Sequence, residues 1–327
     1  MKRAFLFPGQ GSQFVGMGKD IDEAFPEAKQ TMDRICELAQ KDIRKICFEE
    51  PEETLNQTEN TQIAILATSL SILSVLEKRG IKADVCAGLS LGEYTALVYA
   101  GVLSLEEAVP LILKRGYYMG NLLPQGEFAM AAVMGTPAEI IEEICDQVRK
   151  AGKFVVPANY NYSGQIVISG EKEGMEQARE KLKLAGVKRI IPLKTSGPFH
   201  TVMLEQAKHA YQKELEQIHF NPCQVKVIKN IDGNYYQAKD NMVDILATHI
   251  VSPVRFDRAL KLMANLPIDQ YVEIGPGKTL STFVSKENKE NKENKEIQTF
   301  TIQDKSSLEE FLTFTKIRKE EYVSDKS

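Results

Sequence analysis

Val85-Cys86-Ala87-Gly88-Leu89-Ser90-Leu91-Gly92 is the stretch that decides the fold. Val85-Cys86-Ala87 reads as a buried strand that stops at Gly88, and a helix resumes over Gly92–Tyr99. Between them a Gly-x-Ser-x-Gly turn lifts Ser90 out of the sheet, the context that a nucleophile elbow demands. The flanking glycines let the backbone turn without a Cβ clash. The amide groups that open the helix point toward any oxyanion formed at Ser90. The same pentapeptide also occurs in ordinary turns, so its meaning depends on its surroundings.

Working outward, strand–turn–helix units repeat. Residues 4–7 form a short strand ending in Pro8-Gly9. A helix over about 61–79 places Ile65, Leu66, Leu70, Leu73 and Leu76 near i, i+3, i+4 spacing, with Gly80 as its C-cap. This order predicts an α/β architecture with a mostly parallel sheet. The segment 126–194 reads differently: strand 128–134, helix 137–151, strands 154–157 and 165–169, helix 173–184 and strand 187–193. That is the β-α-β-β-α-β order of a ferredoxin-like unit. It is expected to be an insertion, because helix–strand alternation resumes after Pro198.

The expected division is therefore a discontinuous catalytic domain (1–125 and 195–302), a small subdomain (126–194), and a C-terminal helix with a polar tail (303–327). Within the last parts, 298–302 reads as a strand, 307–314 as a helix and 319–327 as a frayed end. The run 286–296 is KENKENKENKE, whose three-residue charge period buries no apolar face and predicts a solvated loop or helix extension.

The 327 residues suit one large domain plus a small one. Forty-one Lys and Arg against 45 Asp and Glu give a net charge of −4, which offers no global positive field for nucleic acid. The 43% hydrophobic and 26% charged content excludes wholesale disorder. No apolar run is read as approaching the ~20 residues that cross a bilayer, so no membrane partner is expected. The first residues break at Pro8-Gly9 too early for a signal peptide, and a cytoplasmic location is expected. Five scattered cysteines (Cys36, Cys47, Cys86, Cys145, Cys223) with no Cys-x-x-Cys pair read as reduced, mostly buried thiols. No His-Glu-x-x-His pairing joins the four histidines, and no metal is expected.

Two glycine-rich matches fail. Gly277-Lys278-Thr279 mimics the end of a P-loop, but Val272 stands where the first glycine belongs. Gly9-x-Gly11-x-x-Phe14 misses the third glycine of the dinucleotide fingerprint.

A serine hydroxyl needs a base. His200 follows the Gly197-Pro198 break and so lies on a loop, whereas His209 and His219 lie on and after a polar helix over 202–218 and read as solvated. Arg115 lies in Lys114-Arg115-Gly116-Tyr117-Tyr118-Met119, in a helix opening near Ser104. It is either a cation interacting with the helix dipole or a bidentate clamp for a carboxylate, and the sequence leaves both open.

Together these motifs resemble one family: malonyl-CoA:acyl carrier protein transacylases and the related acyltransferase domains of polyketide synthases, including trans-acting ones. Phe7-Pro8-Gly9-Gln10-Gly11-Ser12-Gln13, Gly88 to Glu93, Arg115 to Met119 and Gly197 to His200 resemble its signatures. Ala158-Asn159-Tyr160-Asn161 with Gly164 to Gly170, Ser252-Pro253-Val254-Arg255-Phe256 and Glu273-Ile274-Gly275-Pro276-Gly277 resemble its later landmarks. The order holds from residue 1 to about 285.

The resemblance implies an α/β-hydrolase-like core with a ferredoxin-like insertion. It implies Ser90 as nucleophile, His200 as base, and the amides of Gln10 and Leu91 as the oxyanion hole. Arg115 would hold the malonyl carboxylate, with Met119 beside it, and Phe199 resembles the malonyl-selecting form of the base motif. Asn161 and Gln165 would help hold coenzyme A. Malonyl-CoA is then a substrate, an acyl carrier protein the partner, and no bound cofactor is expected. Leu89 stands where the family usually has histidine. His249 stands where it commonly has a glutamine beside the base, and an imidazole there would orient His200 with an added pH dependence. An ester or thioester hydrolase using the same pair is the alternative, against which Arg115 counts. Lys181, Lys183, Lys188 and Arg189 are a candidate landing patch for an acidic carrier, with a solvated face the favoured reading.

Overall fold

The computed structural model describes residues 2–194, 197–290 and 297–324. Among the described residues ten strands form two five-stranded sheets. In chain order they are β1 (Arg3–Phe7), β2 (Val85–Gly88), β3 (Phe128–Met134), β4 (Val155–Tyr162), β5 (Gln165–Glu171), β6 (Arg189–Pro192), β7 (Lys226–Ile228), β8 (Val254–Arg255), β9 (Gln270–Ile274) and β10 (Gln298–Ile302). The large sheet runs β10-β9-β1-β2-β7, and every pairing in it is parallel. Its central strands are buried along almost their whole length because helices cover both faces.

The second sheet runs β6-β3-β5-β4-β8. Its first four strands come from the predicted insertion, and their order, fourth-first-third-second, is that of a ferredoxin-like unit. They pair antiparallel. The fifth strand was not foreseen: β8, from much later in the chain, adds parallel to β4 through Asn159–Val254 and Tyr160–Arg255. The small sheet is thus tied into the large unit by main-chain bonds.

The helix predicted over 61–79 spans Thr58–Lys78. It ends in a Schellman-like arrangement: Gly80 has φ 68°, and the amides of Gly80 and Ile81 donate to the carbonyls of Glu77 and Leu76. At 21 residues it is long and apolar enough to span a bilayer, contrary to the expectation that no run approaches that length. Its side chains instead fill the main core, where Ile63, Ile65, Leu66, Leu70 and Leu73 are buried. Strand β4 is longer than expected, and a register shift near Pro157 carries it on to Tyr162. Conversely β6 is shorter, and the helix expected over 202–218 is a 3₁₀ turn followed by Glu205–Leu215.

At the C-terminal end, the helix Lys305–Ser324 continues well past 314 into the segment expected to fray, and Leu308 and Phe311 are buried in the main core. The KEN run begins inside the helix Thr279–Glu290, and its remainder, 291–296, lies outside the described residues, as do 325–327. Cys47, Cys86 and Cys145 are buried, Cys36 is half-buried and Cys223 exposed, all as free thiols.

Candidate active site

The site sits beyond the C-terminal ends of β1 and β2, where an open α/β sheet offers a crevice. There the elbow packs backbone against backbone. A Cβ on Gly88 would overlap the main chain of Gly92 and Glu93, one on Gly92 would overlap the Phe7 carbonyl, and one on Gly9 would overlap that of Leu89. The glycines are therefore required for close approach. The left-handed conformation falls on Ser90 itself, at φ 53°, a placement that costs a non-glycine residue about 1–2 kcal/mol.

His200 adopts the same region, at φ 59°. Its Nε2 lies 2.7 Å from Ser90 Oγ, and its Nδ1 donates to the main-chain carbonyl of His249 at 2.9 Å. That bond fixes the tautomer and leaves Nε2 as the acceptor for the serine proton. Burial first, then the neighbouring His249 and Arg115, hold the His200 pKa well below the ordinary imidazole value. The expectation for His249 changes here. Its imidazole does not hydrogen-bond His200 but stacks on it, with centroids 5.1 Å apart and planes at 27°. Its own Nδ1 lies 3.0 Å from Glu93 Oε2, at the bottom of the elbow helix. The carbonyl of residue 249 orients the His200 ring, and a main-chain group is available whatever the side chain.

Arg115 is 0% exposed. The helix bearing it runs Leu105–Asn121, opened by a capping box between Ser104 and Glu107, so Arg115 stands short of the last turn and its head lies at Ser90. Nη1 donates to Gln62 Oε1 at 2.7 Å, Nη2 to Ser90 Oγ at 3.2 Å, and the guanidinium lies over the Tyr94 ring at 5.3 Å. Nε has no acceptor, and no carboxylate among the described residues pairs with it. A buried cation without an anion is costly, so the arrangement favours a ligand that brings one.

Gln62 is the functional neighbour that sequence reading missed. Its other end, Nε2, lies 3.6 Å from Met119 Sδ, so one amide links the arginine to the cleft wall. The available signal was a polar residue inside the apolar, buried stretch of the helix Thr58–Lys78.

Gln10, Ser90, Leu91, Arg115, Met119, Asn161, Gln165, Phe199 and His200 all line one cleft of about 480 Å³; of the expected site residues only His249 lies behind its wall. The amides of Gln10 and Leu91 donate to no group among the described residues, while the Gln10 side chain is held by Thr58 Oγ1 at 3.3 Å. The opposite wall is the small sheet, with Met130, Ala132 and Val167. On it Asn161 Nδ2 donates to Gln165 Oε1 at 2.7 Å, and the buried Asn161 Oδ1 has no hydrogen-bond partner among the described residues. Among the described residues no cluster of three or more His, Cys, Asp or Glu could hold a metal ion.

The chain matches the acyl transferase domain family over residues 4–322. It is 40% identical over 308 residues to the malonyl CoA-acyl carrier protein transacylase of Bacillus subtilis, covering 94% of this chain and 95% of that one. The crystal structure of malonyl CoA-acyl carrier protein transacylase from Clostridium perfringens superposes with a TM-score of 0.91 at 39% identity, over 99% of this chain and 100% of that one. A malonyl-transacylase solved in complex with a type II polyketide synthase acyl-carrier protein superposes with a TM-score of 0.88 at 35% identity, over 94% and 98%. A dyad at a strand-to-helix elbow, a buried arginine without an anion and likeness over nearly the whole length have one reading: this chain belongs to the acyl transferase family, among its malonyl-CoA:acyl carrier protein transacylases.

Proposed function

We propose that the protein moves a malonyl group from malonyl-CoA to the phosphopantetheine thiol of an acyl carrier protein, in fatty acid or polyketide synthesis, through an acyl-serine intermediate. The observation that carries the malonyl specificity is Arg115, a fully buried cation whose head lies 3.2 Å from Ser90 Oγ with no carboxylate among the described residues to neutralise it.

In this reading His200 Nε2 takes the Ser90 proton as Oγ attacks the thioester carbonyl. The amides of Gln10 and Leu91 receive the oxyanion. Collapse expels the thiolate of coenzyme A, which takes the proton from His200. The carrier thiol then gives its proton to His200 and attacks the ester, and the released Ser90 oxygen takes that proton back from His200. Arg115 holds the malonyl carboxylate throughout, Met119 and Phe199 shape the space around it, and Asn161 and Gln165 hold coenzyme A on the far wall. Coenzyme A is a substrate portion here, and no resident cofactor is invoked. The proposed division is a catalytic domain of 1–125 and 195–302, a small subdomain of 126–194 and a C-terminal helix packed on the former. A cytoplasmic location fits a pathway whose substrate is malonyl-CoA.

Intact-protein mass spectrometry after brief mixing with malonyl-CoA tests the reading. The expected result is a malonyl adduct on the wild type, none on Ser90→Ala, and discharge onto holo carrier protein. Loss of the adduct to water regardless of carrier would establish a hydrolase instead.

A further inference from the structure

Strand β7 pairs with β2 only as far as Ile228–Ala87, where the two main chains separate. Asn230, two residues on, fills the gap with its side chain. Its Nδ2 donates to the Gly88 carbonyl at 2.7 Å, and its Oδ1 accepts from the Ser90 amide at 2.7 Å. One carboxamide thus grips both ends of the turn that presents the nucleophile, taking the place of the missing strand.

The gripping residue is itself immobilised. Asn230 is 2% exposed, its amide donates to Glu93 Oε1 at 3.1 Å, and its carbonyl accepts from the Arg255 amide of β8 at 2.7 Å. Glu93 Oε1 also accepts from the Tyr236 hydroxyl at 2.8 Å. The main-chain and side-chain polar groups of Asn230 are therefore all occupied. The bond has a second consequence: the Ser90 amide is spent on Asn230, so it cannot serve an oxyanion, and that task is left to the amides of Gln10 and Leu91.

We infer that Asn230 is the positioning residue of the nucleophile, holding Ser90 in its left-handed conformation with Oγ against His200 and directing its amide away from the oxyanion site. This rests on the acyl-serine reading above and deepens it. An asparagine meets the demand at this site, which needs one donor and one acceptor on a short, rigid stem. Aspartate keeps the acceptor for Ser90 but, when ionised, sets a second oxygen against the Gly88 carbonyl. Protonated, it regains the donor.

The test is single-turnover acylation of Ser90 by malonyl-CoA in the full chain, comparing wild type, Asn230→Ala and Asn230→Asp from about pH 8 to about pH 5. In parallel, a fluorophosphonate probe reads Ser90 reactivity independently of any acyl group. Asn230→Ala is expected to lose about 100-fold in the saturated acylation rate and a similar factor toward the fluorophosphonate, with half-saturation by malonyl-CoA within about threefold of wild type. Asn230→Asp is expected to be as slow near neutrality and to recover as the pH falls, because a carboxyl buried beside Glu93 and a carbonyl binds its proton readily. Wild type shows no such recovery. A folded Asn230→Ala that keeps its rate within about threefold, or an Asn230→Asp profile parallel to wild type, overturns the inference. Should Asn230→Ala fail to fold, the Asn230→Asp profile decides alone. Wild type that reacts with the fluorophosphonate but not with malonyl-CoA overturns the substrate reading while leaving the Asn230 comparison intact.

Discussion

Arg115 and His200 carry opposite electrostatic demands in one buried space, and each sets a measurable property. Among the described residues, Arg115 without a ligand leaves its Nε unpartnered and its charge without a counter-ion. A malonyl carboxylate supplies both, whereas an acetyl group supplies neither. Replacing it in Arg115→Ala should therefore lower the malonyl-to-acetyl preference by about 100-fold or more, the usual scale for removing one partner of a desolvated charge pair. Competition between the two acyl-CoA substrates reads this directly, and equal losses for both would remove Arg115 from the specificity role. For His200 the direction is fixed by burial first and then by the neighbouring His249 and Arg115, which keep its imidazole neutral to unusually low pH. The acid limb of kcat/KM should consequently fall well below pH 6.5, the ordinary imidazole value, and a limb at or above it would refute the assignment. Stability follows with a definite sign. The unfolded chain binds this proton below about pH 6.5 and the folded one does not, so the contribution is complete above that value and is lost as the pH falls.

At the scale of elements, the two kinds of glycine should behave differently on substitution by alanine. Gly80 closes the helix Thr58–Lys78 with a positive φ, and nothing lies within 4 Å of the point a Cβ would occupy, so Gly80→Ala should cost only the left-handed penalty of about 1–2 kcal/mol. Gly88→Ala drives a carbon into the main chain of Gly92 and Glu93, which cannot yield without dismantling the elbow. About 3 kcal/mol or more, or outright misfolding, is expected there. Denaturant melts of the two variants check the contrast, and comparable losses would mean the elbow is softer than its packing implies. The elbow, the base loop and the insertion were legible in the sequence because each is a local pattern: Gly-x-Ser-x-Gly after an apolar strand, a Gly-Pro break before a histidine, and a run of alternating strands and helices. The contacts that complete them are not local. The carbonyl of His249, the amide of Gln62 and the grip of Asn230 depend on which segments the tertiary fold brings together, and a backbone carbonyl leaves no signature in side-chain identity. Arg115 shows the same limit, since helix position alone left its head free to point either at the last turn or at Ser90.

Across the whole molecule, a parallel sheet and a mainly antiparallel one face each other over the cleft, and hydrogen bonds are among the contacts that join them. One set is the β4–β8 ladder. Another is made by Glu287, the first glutamate of the KEN run, whose buried carboxylate accepts from both the amide and the hydroxyl of Ser163 in the turn between β4 and β5. A charge repeat that reads as solvated is thus anchored by one of its members. Glu287→Ala should cost about 1–3 kcal/mol, because it leaves the Ser163 amide without its acceptor, and thermal melting measures it. The small sheet so held also carries the candidate landing patch for the carrier, Lys181, Lys183, Lys188 and Arg189. Lys183, Lys188 and Arg189 are exposed and make no ion pair among the described residues, and Leu184 between them is 88% exposed. A chain of net charge −4 repels an acidic carrier on average, and a local positive field would offset that repulsion during approach. If these cations form the landing surface rather than the solvated face that composition favours, transfer to the carrier depends on salt. Raising the ionic strength past the point where the screening length is about 8 Å should then slow malonyl transfer to the carrier while leaving the loading of Ser90 much less affected. The double substitution Lys183→Glu with Lys188→Glu should reproduce that selective loss at low salt, mainly in the rate of association. Transfer that ignores both salt and charge reversal would return the four basic residues to the role of a solvated face and move the docking surface elsewhere around the cleft.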